Sequence, residues 1–181
     1  MIISLCGFMG VGKSTVGKYL AQFLRYKFID LDRYIEAKHN KTVSEYFSEF
    51  GEESFRQEEY NSLKEIVGEF SCNGKENLIL ALGGGTVTRE ACAELVRKSC
   101  CGIYLYCPKD ELVMRLRKKR ANRPLLQSKS DEELGLYIQN LIDEREPAYK
   151  SSSKYLINTQ GGKLAKVIDD ILATVEFDDY K

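Results

Sequence analysis

The chain has 181 residues, 43% of them hydrophobic, and its 27 basic side chains equal its 27 acidic ones in number. This length fits a single domain over 1–181 with a full core, and the balanced charge excludes an overall field that would favour nucleic acid or an anionic membrane. Neither a secretory leader nor an apolar stretch near the roughly 18 residues of a membrane span is found, so we expect a cytoplasmic protein. We also expect a monomer.

The cysteine pattern argues against a disulfide framework and against a zinc site. Six cysteines are spread along the chain without a C-x-x-C pair, and the one histidine, His39, is far from them in sequence. Most of the cysteines fall on apolar strand or helix faces, where a free thiol behaves as a small hydrophobic group. We therefore predict that they are reduced core residues.

The most specific motif lies at the start of the chain. Residues 7–14 read G-x-x-x-x-G-K-S and follow an apolar strand predicted at 1–6. The apolar residues after the motif have helical spacing: Val16, Leu20, Phe23 and Leu24. Strand, glycine loop and helix in this order predict a phosphate-binding loop in which Lys13 reaches the β- and γ-phosphates of a nucleotide and Ser14 ligates Mg²⁺. The predicted nucleotide-binding residues of this loop are Gly10, Val11, Gly12, Lys13, Ser14 and Thr15. The alternative is a glycine-rich turn that binds nothing.

An acid pair follows the second predicted strand, at 26–30. Asp30 ends this strand and Asp32 comes two residues later. Ligands of open parallel sheets bind beyond the carboxyl ends of the strands, which places both acids at the functional edge. In extended geometry residues two apart project from the same side, so one carboxylate could approach the metal and the other a second substrate. The alternative is that Asp32 caps the helix that follows.

Two arginines are predicted to point inward from separate helices. After a short helix at 44–50, closed by Gly51, a second helix runs to about residue 67, and Arg56 falls on its apolar stripe. Arg145 lies on the inner side of a helix predicted at 131–146, which we expect Pro147 to end. A buried guanidinium needs a fixed carboxylate or an anionic ligand, although Arg56 could instead reach solvent from the helix start.

Three glycines stand at the carboxyl end of a third strand, predicted at 78–82. The turn Gly83, Gly84 and Gly85 would let backbone amides approach a ligand closely, whereas the alternative is a flexible turn. A helix at 89–98, strands at 101–106 and 154–158 and a closing helix from Leu164 complete the prediction. Together with the acid pair and the inward arginines, the glycine turn predicts a pocket for a small polyhydroxylated carboxylate.

The one dense basic block, at 115–123, allows three interpretations. Nucleic-acid binding is disfavoured because the block is short and has no interleaved aromatic residues. A lid over 117–130 that closes on nucleotide phosphates uses the charge better, and Arg123, beside Pro124, is its predicted catalytic cation. A solvated basic face is the alternative for the other residues.

These motifs together resemble the shikimate kinase family, and the resemblance covers nearly the whole chain. It depends on the segments 7–14, 30–32, 55–56, 83–85, 123–126 and 145–149, all in the order of the family. The resemblance implies an α/β fold, the three-layer P-loop kinase fold with a five-stranded parallel sheet in the order 2-3-1-4-5, helices on both faces and a lid. It also implies ATP-dependent phosphorylation of the 3-hydroxyl of shikimate in aromatic amino-acid biosynthesis, with Mg²⁺ as cofactor.

The resemblance also implies a role for each site residue. Asp32 would bind the substrate hydroxyls and activate one of them, Asp30 would contact Mg²⁺ through water, and Ser14 would ligate the metal. Arg56 and Arg145 would bind the carboxylate. The remaining residues with an implied role are Gly83, Gly84 and Gly85 for the substrate, Lys13 and Arg123 for catalysis, and Arg117 and Arg123 for the nucleotide. Residues 33–70 would form the substrate-binding helices.

The sequence departs from the family pattern at three places. Ala81 stands where a Ser or Thr is common, so a hydroxyl near the metal is missing. The run of cations leaves open whether Arg117 or Arg120 contacts adenine, and the loop 158–162 lacks the basic residues common on the adenine side. A kinase of another small hydroxy acid such as gluconate, or a nucleotide-binding module without catalysis, is the alternative function.

Overall fold

The computed structural model describes residues 1–73, 76–118 and 131–176. Its strands are β1 (Ile2–Cys6), β2 (Lys27–Asp30), β3 (Leu78–Ala81), β4 (Cys101–Tyr106) and β5 (Tyr155–Asn158). The helices of these ranges are α1 (Lys13–Leu24), α2 (Leu31–His39), α3 (Val43–Asn73), α4 (Glu90–Ser99), α5 (Lys109–Lys118), α6 (Asp131–Ser151) and α7 (Leu164–Thr174). Strands and helices alternate, which is typical of an α/β fold.

The strands form one five-stranded sheet in the order β2-β3-β1-β4-β5, and every pairing is parallel. The predicted architecture and strand order are therefore confirmed. In this register Ala81 pairs with both Leu5 and Asp30, so β1, β2 and β3 end at the same edge of the sheet. The segments that follow these three strands therefore meet at this edge. In parallel sheets, ligands bind beyond the carboxyl ends of the strands, where such segments lie.

The core lies on both faces of the sheet. Every residue of β1 and β3 is buried, as expected for a parallel strand covered by helices on each side. Helix α1 packs against α7, while α3 packs against α4. Within α1, Val16, Leu20 and Leu24 are buried, whereas Phe23 is exposed, so the buried stripe is narrower than the apolar pattern that predicts the helix.

Gly51 closes the first part of α3, as the sequence predicts, because its φ of 82° and ψ of 167° are non-helical. The boundary at Pro147 differs from the sequence prediction. Pro147 does not end its helix, since α6 continues to Ser151. Proline removes one N–H donor from a helix, and here the turn beyond it is retained because Tyr149 is fully buried.

Other predictions concern cysteines, membrane spans and the lid. The cysteines at 6, 92, 100, 101 and 107 are free thiols, and the first, second and last of these are buried. In the described ranges, no helix has the length and hydropathy that crossing a membrane requires.

Residues 119–130, which include Arg120, Arg123 and nearly all of the predicted lid, lie outside the described residues.

Candidate active site

The loop after β1 has the backbone of a phosphate-binding loop. Gly7, Gly10 and Gly12 have φ values of 138°, 84° and 110°, which residues with a Cβ rarely adopt. A Cβ on Gly7 would also lie 2.5 Å from the carbonyl oxygen of Leu105, so only glycine fits there. Gly12 then caps the start of α1, whose N-terminal N–H groups face the loop. Successive amides in this conformation form a concave anion site.

Lys13, Ser14 and Asp30 lie together beside this loop. The Lys13 Nζ donates to the carbonyl oxygens of Gly7 at 2.8 Å and Phe8 at 3.2 Å, which places the ammonium over the loop. The Ser14 hydroxyl donates to Asp30 Oδ2 at 2.5 Å. A hydroxyl and a carboxylate oxygen are hard donors of the kind that Mg²⁺ takes, so the two predicted metal residues fit that ion.

Asp32 reaches the site from a helix and not from an extended strand. Strand β2 ends at Asp30, and Asp32 belongs to the first turn of α2, so the expected extended spacing of the acid pair is wrong. The alternative that Asp32 caps this helix is also wrong, because the Asp30 carboxylate accepts the N–H of Arg33 at 3.3 Å as the N-cap. The chain turns into the helix at once because this cap is available.

The surroundings of Asp32 raise its pKa, so this carboxyl holds a proton more readily than an exposed aspartate does. Burial is the largest cause and raises the pKa of Asp32 from 3.8 to about 6; the carboxylates of Glu59 and Asp30 add to the rise, and the Lys13 ammonium opposes it. A carboxyl with a pKa close to the working pH is suited to accept a proton. Such a shift marks a candidate for acid–base chemistry.

Arg56 points inward and is anchored by a buried carboxylate. Its side chain is 16% exposed, and its Nη1 lies 2.9 Å from Glu59 Oε2, whereas Nη2 lies 3.2 Å from the more exposed Glu52. Glu59 is 1% exposed and also accepts the Thr86 hydroxyl at 2.5 Å. Burial alone would lower the pKa of Arg56, but Glu59 and Glu52 together outweigh it and raise that pKa, so the guanidinium stays charged.

The glycine turn after β3 brings these groups into contact. A Cβ on Gly83 would lie 2.7 Å from Glu59 Oε1 and 2.8 Å from Asp32 Oδ1. A Cβ on Gly85 would lie 2.8 Å from Arg56 Nη1. Distances under about 3 Å are closer than carbon atoms approach such groups, so glycine is required for the acids and the arginine to meet at this turn.

Arg145 approaches the same turn from α6. Its Nη1 donates to the carbonyl oxygen of Gly84 at 3.2 Å, and the Tyr149 hydroxyl donates to the same oxygen at 2.5 Å. The Arg56 guanidinium lies where a side chain on Gly85 would extend, and Arg145 donates to the Gly84 carbonyl, so the two inward arginines lie at neighbouring residues of one turn. The structure thus brings together the phosphate loop, the acid pair, the glycine turn and both arginines.

Sequence reasoning missed three residues that organise this edge: Glu59, Tyr149 and Arg115. Glu59 could have been found as the acid three residues after Arg56 on the same helix face. Arg115 was grouped with a basic block for which a solvated face was the alternative, yet its Nη1 donates to the Val11 carbonyl at 3.2 Å and its Nη2 to the Thr159 carbonyl at 2.8 Å. It therefore joins the phosphate loop to the loop after β5.

Comparison with known proteins gives one consistent family. A family model described as shikimate kinase matches residues 9–176. The shikimate kinase of Chlorobium limicola is 35% identical over 179 residues, which covers 96% of this chain and 86% of that protein. A crystal structure of shikimate kinase from Bacteroides thetaiotaomicron superposes with a TM-score of 0.85 at 34% identity, covering 96% of this chain and 97% of that one.

Two further structures bear on the choice of substrate. Shikimate kinase from Acinetobacter baumannii in complex with shikimate has a TM-score of 0.82 and 34% identity, with 94% of this chain and 90% of that chain covered. A gluconokinase from Sinorhizobium meliloti has a TM-score of 0.55 at 15% identity, covering 94% of this chain and 89% of that one. The latter likeness shows a shared fold alone.

Proposed function

Because this chain belongs to the shikimate kinase family, we propose that it transfers the γ-phosphoryl group of ATP to the 3-hydroxyl of shikimate. One observation carries the proposal for the site: two inward arginines and Asp32 surround a glycine turn at the sheet edge that also holds the phosphate loop. Phosphate donor and carboxylate-bearing acceptor would therefore meet at the carboxyl ends of β1, β2 and β3.

The phosphate loop would hold the nucleotide. The loop amides and the N-terminus of α1 would face the phosphates, and the Lys13 ammonium, already positioned over the loop, would neutralise charge on them as the bond to the leaving group breaks. Ser14 and Asp30 would hold Mg²⁺, Asp30 through water as the family resemblance implies, and the ion would supply charge neutralisation on the phosphate oxygens. Thr15 follows Ser14 in α1 at the same end of the loop.

Arg56 and Arg145 would bind the carboxylate of the acceptor. Guanidinium groups pair with carboxylates through two parallel N–H donors, which fixes the orientation of the substrate as well as its position. Glu59 holds one edge of the Arg56 guanidinium from the buried side. The Gly84 carbonyl holds the Arg145 guanidinium in the same way. Helices α2 and α3, which cover most of residues 33–70, would thus supply the substrate-binding surface.

Asp32 would accept the proton of the attacking hydroxyl. With a pKa of about 6 the carboxylate is largely ionised at neutral pH, yet more basic than an ordinary aspartate. Lys13 lies close enough to act on the pKa of Asp32, so the proton acceptor and the phosphate-binding cation are neighbours. In-line transfer needs the attacking oxygen to approach the γ-phosphorus from the side opposite the leaving oxygen.

Arg123 is assigned to stabilise the transferring phosphoryl group, and Arg117 to contact the nucleotide, on the basis of the sequence motif. Arg117 lies in the last turn of α5, on the helix that also carries Arg115. The assignment of Arg123 is supported by its place in the family motif at 123–126. Mg²⁺ as the metal, a monomeric state and a cytoplasmic location remain the expectations drawn from sequence.

The deciding experiment is release of ADP by the purified protein with Mg²⁺ and ATP, with shikimate, gluconate or no acceptor. We expect turnover that depends on shikimate, and a mock preparation from cells that do not express this chain, purified in parallel, measures contaminating kinase activity. Turnover with gluconate would retain the phosphate site but contradict the role of the paired arginines. ATP binding without turnover on either acceptor would favour a nucleotide-binding module.

A further inference from the structure

The carbonyl oxygen of Gly84 is a junction between the glycine turn and α6. It accepts the Tyr149 hydroxyl at 2.5 Å and the Arg145 Nη1 at 3.2 Å. The two donors are four residues apart and therefore lie one above the other on the same helix face. A carbonyl oxygen has two lone pairs, and here the two donors occupy both.

Tyr149 is the fixed member of this junction. Its side chain is fully buried, and its ring packs against that of Tyr104 with the centroids 5.4 Å apart. Burial raises the pKa of Tyr149, so the phenol remains a hydrogen-bond donor throughout the neutral range. A buried tyrosine hydroxyl needs a partner, whereas an arginine side chain has many rotamers from which to choose. The tyrosine thus positions the carbonyl, and the arginine interacts with both the carbonyl and the tyrosine hydroxyl.

The continuation of α6 through Pro147 is what brings Tyr149 to the turn. Had the helix ended at the proline, the chain beyond it would have taken another direction. Because α6 continues to Ser151, the buried tyrosine lies one turn beyond Arg145 on the same face. Gly84 itself has no side chain to restrain its peptide groups, so their orientation depends on external hydrogen bonds.

We propose that Tyr149 is a positioning residue for the acceptor: its hydroxyl holds the Gly84 carbonyl, which in turn holds Arg145 with its remaining N–H groups directed to the substrate carboxylate. This role rests on the proposed function, since it assumes that Arg145 binds a carboxylate. Without the hydroxyl, Arg145 would be the remaining hydrogen-bond donor to the Gly84 carbonyl, and the peptide group of Gly84 would rotate more freely. Arginine donors would then be drawn away from the substrate.

The test compares Tyr149→Phe with Tyr104→Phe. Each variant removes one buried hydroxyl from the same pair of rings, but the Tyr104 hydroxyl donates to Glu146 at 3.3 Å and not to the glycine turn. We expect Tyr149→Phe to raise the KM for shikimate by roughly tenfold, the effect of one lost hydrogen bond near a charged group. The KM for ATP should stay within about twofold, and Tyr104→Phe should leave both KM values within about twofold.

Hydrogen–deuterium exchange supplies a second readout that does not require turnover. Amides of the segment 83–88 should exchange faster in Tyr149→Phe than in Tyr104→Phe, because the turn has lost its fixed donor. Lowered thermal stability with an unchanged KM for shikimate and unchanged exchange would overturn the proposal. A parallel rise in the KM for ATP would do so as well. A wild-type protein that neither binds nor phosphorylates shikimate would overturn the proposed function together with this role.

Discussion

Replacing Asp32 by Asn should make the protein more stable and almost inactive. The substitution retains the shape of the side chain but removes the negative charge and the ability to accept a proton. Burial raises the pKa of Asp32 to about 6, so the ionised form that catalysis needs is held in an unfavourable environment. Residues that serve function commonly carry such a cost in stability.

The magnitude follows from the change in pKa between the unfolded and folded states. The rise from 3.8 to about 6 corresponds to at most about 3 kcal/mol in the free energy of unfolding. The side chain is partly exposed, so solvent screening reduces this value, and we expect a gain of about 1–2 kcal/mol for Asp32→Asn above about pH 7. Between pH 3.8 and about 6 the folded wild type keeps a proton on Asp32 that the unfolded chain has released, so the wild type becomes more stable as the pH falls. The stability gained by Asp32→Asn therefore decreases with falling pH and disappears near pH 3.8.

Urea denaturation followed by circular dichroism, at about pH 8 and at about pH 4, measures the stability difference directly. Asp110→Asn is the matched control, because Asp110 is an exposed acid in the first turn of α5; we expect a change below about 0.5 kcal/mol. In the wild type, kcat/KM for shikimate should fall below about pH 6, and Asp32→Asn should lower it by about 10²–10⁴-fold. A variant less stable than wild type at pH 8, or an acid limb below about pH 4.5, would refute the reasoning.

Four further substitutions probe the rest of the site. Lys13→Ala should lower kcat by about 10²–10³-fold, since a cation over the developing charge is lost. Gly85→Ala should raise the KM for shikimate by about tenfold, because its Cβ would displace the Arg56 guanidinium. Glu59→Gln should lower the free energy of unfolding by about 2–4 kcal/mol, because Arg56 loses its buried partner. Arg145→Lys should raise the KM for shikimate by about tenfold and leave the KM for ATP unchanged, because an ammonium cannot pair with a carboxylate through two parallel donors.

Steady-state kinetics with each substrate varied in turn, and urea denaturation for Glu59→Gln, measure these effects. A normal kcat in Lys13→Ala would refute its role at the phosphates. An unchanged KM for shikimate in both Gly85→Ala and Arg145→Lys would remove the support for a carboxylate site at the glycine turn. Wild-type stability in Glu59→Gln would show that Arg56 does not depend on this partner.

Local sequence signals were sufficient for the sheet and the phosphate loop. Continuous apolar runs predicted buried parallel strands, and the glycine spacing of residues 7–14 predicted a loop that requires positive φ values. The family resemblance supplied the strand order 2-3-1-4-5, which is confirmed. A prediction failed where packing overrides a local rule: Pro147 lies inside α6 and does not end it.

The candidate site, too, could be predicted from the sequence only in part. The sequence predicted that Arg56 and Arg145 point inward, because helical periodicity determines which face of a helix meets the core. It could not predict the partners of these arginines, since Glu59 and Gly84 become neighbours only after α3, α6 and the glycine turn pack together. The extended geometry expected for the acid pair failed because the Asp30 side chain caps α2 and turns the chain at that point.

The sequence by itself determined the chemical character of this protein: a phosphate-binding loop, an acid pair, a glycine turn and two inward arginines, each encoded by residues close together in the chain. Only the tertiary structure decided how these groups act on one another. The pKa of Asp32 depends on burial and on Lys13, Glu59 and Asp30, and the Gly84 carbonyl joins Tyr149 to Arg145. Such properties depend on distances between segments far apart in sequence, which are fixed when the helices pack on the sheet.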